Sequence, residues 1–202
     1  MVTATSSRES PMLRSDAKQN RALLLDAACE LIAQVGTDDI SARDIADRAG
    51  VSTATLYRHF PSKQALVDCI SVDRWERMSE WARGSQSPRS AVFDIARVLD
   101  RFSRLVSDDA QFIQAAGLKV GATPAAIAPV RELFDARFSE LWSAARASGS
   151  VRRWSDPRDA VELVGSIRNR ERRVPMLATI VAGFVAPQID VERVLRTTHR
   201  SP

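Results

Sequence analysis

Cysteine is nearly absent from this 202-residue chain: Cys29 and Cys69 are the only two. Two thiols can build neither a disulfide framework nor a four-ligand zinc site. Lysine is scarce as well. Lys18, Lys63 and Lys119 are the whole set, and the remainder of the 29 basic residues are arginines. Histidine is limited to His59 and His199, and tyrosine to Tyr57. With so little to draw on, no His/Glu helix motif, Gly-rich phosphate loop or nucleophile–base set can be assembled, so no enzyme, metal or cofactor is expected. Apolar runs stay short of the roughly 18 residues a membrane span needs, and no signal-peptide core stands at the N-terminus. A soluble, cytoplasmic chain without a membrane partner is expected.

What is present is an ordinary globular balance, 45% hydrophobic and 27% charged, with a net charge of +4. The charge is unevenly placed. Residues 1–63 and 64–150 are each neutral, and the excess lies in residues 151–202. A nucleic-acid surface in the first third must therefore come from local segregation, and the window 41–63 shows it: Arg43, Arg48, Arg58 and Lys63 outweigh Asp44 and Asp47. The more basic group Arg168, Arg170, Arg172 and Arg173 reads as a solvated helix end.

Periodicity predicts helices throughout. Residues 1–17, rich in Ser and Thr, read as a disordered arm. From Lys18 apolar residues recur at Leu24, Ala27/Ala28, Leu31/Ile32 and Val35, stopped by Gly36. Ser41 with Asp44 forms an S-x-x-D cap for a helix ending at Gly50. Ser52 caps a third helix over 53–60, which Pro61 stops. Ser62 caps a fourth, running towards Trp81. Further helices are expected after Ser87-Pro88, near 109–118, from Pro129 to Gly149, after Asp156-Pro157, over the nearly all-apolar run 176–186, and from Asp190 to Thr198. No alternating strand pattern appears, so the fold class is all-α. Cys29 and Cys69 read as buried structural thiols.

The second and third helices meet across Gly50-Val51, the grammar of a helix-turn-helix. Leu56 and Phe60, at i and i+4, seat the third helix on its neighbours, and Thr53, Ala54, Tyr57 and Arg58 are left facing out. Such a set suits a major groove: small residues approach base edges, and the hydroxyl and guanidinium reach phosphate or guanine. Lys63, at the start of the fourth helix, is placed to bind phosphate. Ser41, Arg43, Ser52, Thr55 and His59 complete the candidate DNA-contacting set. For Arg43, an ion pair with Asp47 competes with a phosphate contact.

The stretches "LLLDAACELIAQVG" and "SARDIADRAGVSTATLYRHFPSKQAL" resemble the N-terminal domain of the tetracycline-repressor-like (TetR) family of bacterial regulators, over residues 20–70. "GVSTATLYRHFPSK" is the specific part. "ASGSVRRWSDPRDAVELV" is similar to a segment common in the family's second domain. Thr37 stands where the family often has an aromatic residue, and Ala42 where it often has a larger aliphatic one, with Ile40 available to fill the space. The resemblance implies a DNA-binding head over residues 18–65 and a helical effector-binding and dimerisation body over 66–202. It implies a homodimer that occupies a palindromic double-stranded DNA operator and is released by a small-molecule effector. An activator or ligand-independent regulator of the same fold, or a helical protein-interaction module, are the alternatives. Trp81, Phe102, Phe112, Phe134, Phe138 and Trp142 are candidates for an effector pocket, against a plainer reading as core. Val161, Val164, Ile167, Leu177, Val181 and Phe184 are the expected dimer interface.

Overall fold

The computed structural model describes residues 11–36, 39–84, 90–108, 123–167 and 169–198. Nine helices occur among them: α1 (Pro11–Val35), α2 (Ala42–Ala49), α3 (Thr53–His59), α4 (Lys63–Trp81), α5 (Ala91–Asp108), α6 (Ala128–Ala147), α7 (Pro157–Gly165), α8 (Arg173–Phe184) and α9 (Val191–Thr198). No strand forms among the described residues. A single antiparallel bridge joins Val151 to Val185. The expected helix near 109–118, the Ser87-Pro88 cap, Thr37, Arg168 and His199 lie outside the described residues. The chain divides into two compact units, Met1–Val67 and Asp68–Pro202, with the boundary inside α4.

In the first unit α1, α2 and α3 pack on one another. α1 starts seven residues earlier than expected, inside the stretch read as a disordered arm. Pro11 pre-sets helical φ at the first position, and Met12, Leu13, Arg14 and Ala17 are good helix formers. Residues 1–10 of that arm lie outside the described residues. The buried stripe of this unit is Leu24, Ala27, Ala28, Ile32, Ile40, Ile45, Ala46, Leu56, Phe60, Leu66 and Val67. Ile40 is buried. Cys29 and Cys69 are half-buried rather than buried.

The second unit is built around α5, which packs against α6, α7, α8 and α9. A helix with that many neighbours is apolar on several sides, and α5 buries Val92, Ile95, Ala96, Val98, Leu99, Phe102 and Val106. Two carboxylates are buried on it. Asp94 pairs with Arg97. Asp100 accepts from Arg104 at 3.0 Å and from Arg173 Nη1 at 2.7 Å, and Arg173 also donates to Ser103 Oγ at 2.8 Å. Arg173 therefore leaves the solvated cluster in which its sequence neighbours placed it. It is buried because the carboxylate of α5 compensates its charge, which Arg170 and Arg172, both exposed, do not need.

α8 starts before Pro175 rather than after it, since a proline in the first turn gives up an N–H that has no helical partner there. Its surroundings also differ from expectation. Leu177, Val181 and Phe184 are buried, whereas Val174, Pro175, Thr179, Ala182 and Gly183 are exposed. Along α7 and its end, Val161, Val164 and Ile167 are buried too. All six residues expected at a dimer interface thus belong to the core of a single chain. The physical reason is that α5 and α6 already cover the inward stripes of α7 and α8, leaving none of that area for a second copy.

Candidate nucleic-acid interface

α2 is fixed at both ends by local chemistry. Asp44 N–H donates to Ser41 Oγ at 3.1 Å, and Ser41 N–H and Oγ–H donate to Asp44 Oδ2 at 2.8 and 2.6 Å, a reciprocal capping box. These bonds, the side-chain one first and then the backbone one, hold the Asp44 carboxyl below its ordinary pKa. At the other end Gly50 takes φ +70°, a left-handed conformation that residues with a Cβ rarely adopt. Its N–H and that of Val51 return to Asp47 O and Ala46 O. The chain can then reverse and enter α3.

Ser52 caps α3, accepting from Thr55 N–H at 3.1 Å. Leu56 and Phe60 are buried, with the Arg21 guanidinium over the Phe60 ring at 5.1 Å. Seating those two residues rotates the opposite side outward: Thr53, Ala54, Tyr57 and Arg58 are exposed, Tyr57 at 53%. Arg58 bends back along the helix, its Nη2 donating to Thr55 Oγ1 at 3.1 Å. Ser41, Arg43 and Ser52 are exposed, and Thr55 and His59 half-exposed. Arg43 faces Asp47 at 3.7 Å with both side chains largely solvated, so the pair is weak and easily exchanged for another anion.

Lys63 has a structural role that its sequence position did not reveal. Its Nζ donates to Ile40 O at 2.9 Å, tying the start of α4 to the segment that leads into α2. A contact between residues 23 apart leaves no local signal in a sequence.

Four of the body's candidate pocket residues, Phe102, Phe134, Phe138 and Trp142, are gathered into one column. Trp75 lies 5.3 Å from Phe134 and 6.3 Å from Phe102 between ring centroids. Phe134 stacks on Phe138 at 5.5 Å, Phe138 meets Trp142 at 5.8 Å, and Trp142 meets Phe184 at 4.8 Å. Phe102, Phe134, Phe138 and Trp142 are all fully buried. Trp81 is only partly buried, under the Arg101 guanidinium at 5.1 Å. Phe112 lies outside the described residues. Trp75 belongs to this column, and so does Phe184, which comes from a helix far along the chain and was expected at a dimer interface instead.

An all-α chain whose first unit is a helix-turn-helix, capped at Ser41 and Ser52 and turned at Gly50, defines a helix-turn-helix regulator class. The profile of bacterial regulatory proteins of the tetR family matches residues 24–70. A TetR transcription regulatory protein of Mycobacterium vanbaalenii is similar over its length: 30% identity, TM-score 0.61, covering 86% of this chain and 99% of that one. The chain belongs to the TetR family. It is also 30% identical to the HTH-type transcriptional repressor KstR of Rhodococcus jostii over 115 residues, which is 56% of this chain and 53% of that protein. To the class D tetracycline repressor protein of Escherichia coli it is 35% identical over 66 residues, 33% of this chain and 30% of that repressor. These matches span about half or less of the curated relatives' lengths.

Proposed function

We propose that the chain is a transcriptional repressor that binds a palindromic DNA operator as a homodimer and is released by a small molecule bound in the second unit. The observation that carries this reading is the division of α3. Leu56 and Phe60 are committed to the core, and Thr53, Ala54, Tyr57 and Arg58 to solvent. Thr53 and Ala54 sit nearest base edges in the major groove, and Tyr57, Arg58 and His59 reach the backbone. Ser41, Arg43, Ser52 and Thr55 line the flank of the same surface, with Lys63 at its edge. Two relatives named as repressors support the sign of regulation.

A short recognition helix reads only a few base pairs, so two heads must engage successive major grooves about 34–36 Å apart. The face offered to a second copy is the outward side of α7 and α8. Leu163 is 52% and Val174 45% exposed, and Ala182 and Gly183 let a facing helix approach closely. α4 contains residues of both units, so a ligand that shifts it biases operator affinity. No described helix is long and apolar enough to cross a membrane.

The test is selection of bound sequences from a random duplex pool, followed by binding measured across salt concentrations. A palindromic consensus bound with a steep negative salt slope is expected. Salt-insensitive binding without sequence preference overturns the reading and favours a protein-interaction module.

A further inference from the structure

The turn at residues 146–156, between α6 and α7, is tied down at several points. Arg152 N–H donates to Phe184 O at 2.8 Å, Ala186 N–H to Ser150 O at 2.9 Å, and Val151 bridges Val185. Ser155 N–H and Oγ–H return to Arg152 O at 3.2 and 2.7 Å, and Arg146 Nη2 donates to Ser155 O at 2.7 Å. A turn held this way has little freedom to lose on binding. Yet it presents Trp154 to solvent at 75% exposure, against 53% for Val35 and Tyr57, the next most exposed large apolar side chains described.

The cations of the turn are also set apart. Elsewhere in the second unit guanidiniums meet carboxylates: Arg77 with Asp73, Arg97 with Asp94, Arg104 with Asp100, and Arg131 with Asp135. Arg146, Arg152 and Arg153 have no carboxylate at ion-pair distance among the described residues. Asp156, the nearest acid in the sequence, is engaged in capping α7, where it accepts the Arg158 N–H at 2.7 Å. The Arg152 guanidinium lies 6.0 Å from the Trp154 ring centroid, and its Nε is buried without a hydrogen-bond partner among the described residues. A cation that has already lost part of its water gains more from an anion than a fully hydrated one, because the local dielectric is lower.

We propose that the turn at 146–156 is a docking surface for an acidic segment of another protein, whose apolar side chain lies on the Trp154 indole while flanking carboxylates pair with Arg152 and Arg153. Charge complementarity calls for an anionic occupant, and the planar guanidinium fork matches a carboxylate bidentately. The indole decides the class of macromolecule. Duplex DNA keeps its bases stacked on one another and leaves the indole nothing to cover. A single strand is gripped by successive aromatic platforms, and no second aromatic ring pairs with Trp154 among the described residues. Tryptophan and arginine are the side chains that dominate protein–protein contacts.

The experiment titrates the full chain into a fluorescently labelled peptide, acetyl-DEDFEDE-amide, and follows anisotropy. Two control peptides, acetyl-NQNFNQN-amide and acetyl-DEDGEDE-amide, lack the charges and the ring in turn. The acidic aromatic peptide is expected to bind about tenfold more tightly than either control, the loss typical of truncating a dominant contact. In 15N-labelled protein it should move the Trp154 indole signal, identified by its absence from Trp154→Ala, and leave that of the buried Trp142 in place. Trp154→Ala and Arg153→Gln, both at exposed positions, should each weaken peptide binding about threefold to tenfold without changing the melting temperature. Equal affinity for the three peptides, no binding at millimolar peptide, or an unmoved Trp154 signal overturns the proposal. An oligothymidylate strand that moves the Trp154 signal at lower concentration than the peptide makes the occupant a nucleic acid and overturns it too. So does a Trp154→Ala chain that sediments as a smaller species than wild type, since the turn then belongs to the contact between copies. Operator affinity measured on the same preparations should be equal in wild type and Trp154→Ala. A chain that holds its operator but fails the peptide tests loses this surface and keeps its function.

Discussion

At the scale of single residues, the head separates side chains that hold the fold from those that are spare. Tyr57 has no core duty, since Leu56 and Phe60 carry it. Tyr57→Phe is therefore expected to leave the melting temperature unchanged. It should weaken binding to every operator sequence by about 0.5–1.5 kcal/mol, one hydrogen bond's worth. Equal affinity for variant and wild type in a DNA titration would remove Tyr57 from the interface. Lys63 is the opposite case. Lys63→Met loses the bond to Ile40 O and should lower head stability by about 1 kcal/mol in a denaturant melt. A fall of about 1 in the salt slope of DNA binding would add a phosphate contact to that role, and an unchanged slope would leave it structural.

Asp44 gives the head a pH dependence whose sign follows from its partners. Its native pKa is lowered by the Ser41 bonds, so its unfolded form binds protons first as pH falls. The contribution is fully present above the ordinary aspartate range, about pH 4, and is lost as pH drops through the lowered native value. Asp44→Asn should show a shallower loss of helicity over that acid window than wild type, followed by circular dichroism. Parallel acid transitions would mean that the capping box does not persist in solution.

Elements carry the next level of argument. α3 is only seven residues long and cannot stand without its two buried anchors. Leu56→Ala, at a fully buried site, should cost about 2–5 kcal/mol through the cavity it leaves. In a calorimetric melt that loss should appear as a lowered transition of the first unit. At the end of α4, Gly84 takes φ +63°, and a Cβ there would stand 2.7 Å from Leu141 Cδ1 and 3.2 Å from Asp94 Oδ2. Gly84→Ala combines a left-handed backbone with a clash and should destabilise the second unit by about 1–3 kcal/mol. Gly50→Ala meets no neighbour within 4 Å, so it bears the backbone penalty alone, about 1–2 kcal/mol.

For the whole molecule, the decisive question is which apolar surface the proposed second copy would cover. Val181 is fully buried in the single chain, and Val181→Asp should unfold the second unit because the charge has no partner there. Leu163 and Val174 are half exposed. Leu163→Glu combined with Val174→Asp should leave a folded chain that sediments as a monomer and loses operator affinity, although the head is untouched. A double variant that still sediments as a dimer places the interface elsewhere.

The sequence by itself determined whatever depends on near neighbours. The Ser41–Asp44 box, the Gly50 turn, the Ser52 cap and the i,i+4 pair Leu56 and Phe60 are all interactions within a few positions, and periodicity and capping chemistry report them directly. The Asp156 cap of α7 belongs with them. Only the tertiary structure decided the rest, because those facts depend on which helices lie side by side. An all-apolar run such as that in α8 shows that it must be covered, but not which stripe α5 already covers, so Val181 and Phe184 went to the core and Val174 was left outside. Arg173 looked like its neighbours until Asp100, 73 positions away, was placed against it. Trp142 read as one aromatic among several. Only the packing of Phe138 and Phe184 around it shows that its N–H has been enclosed without an acceptor.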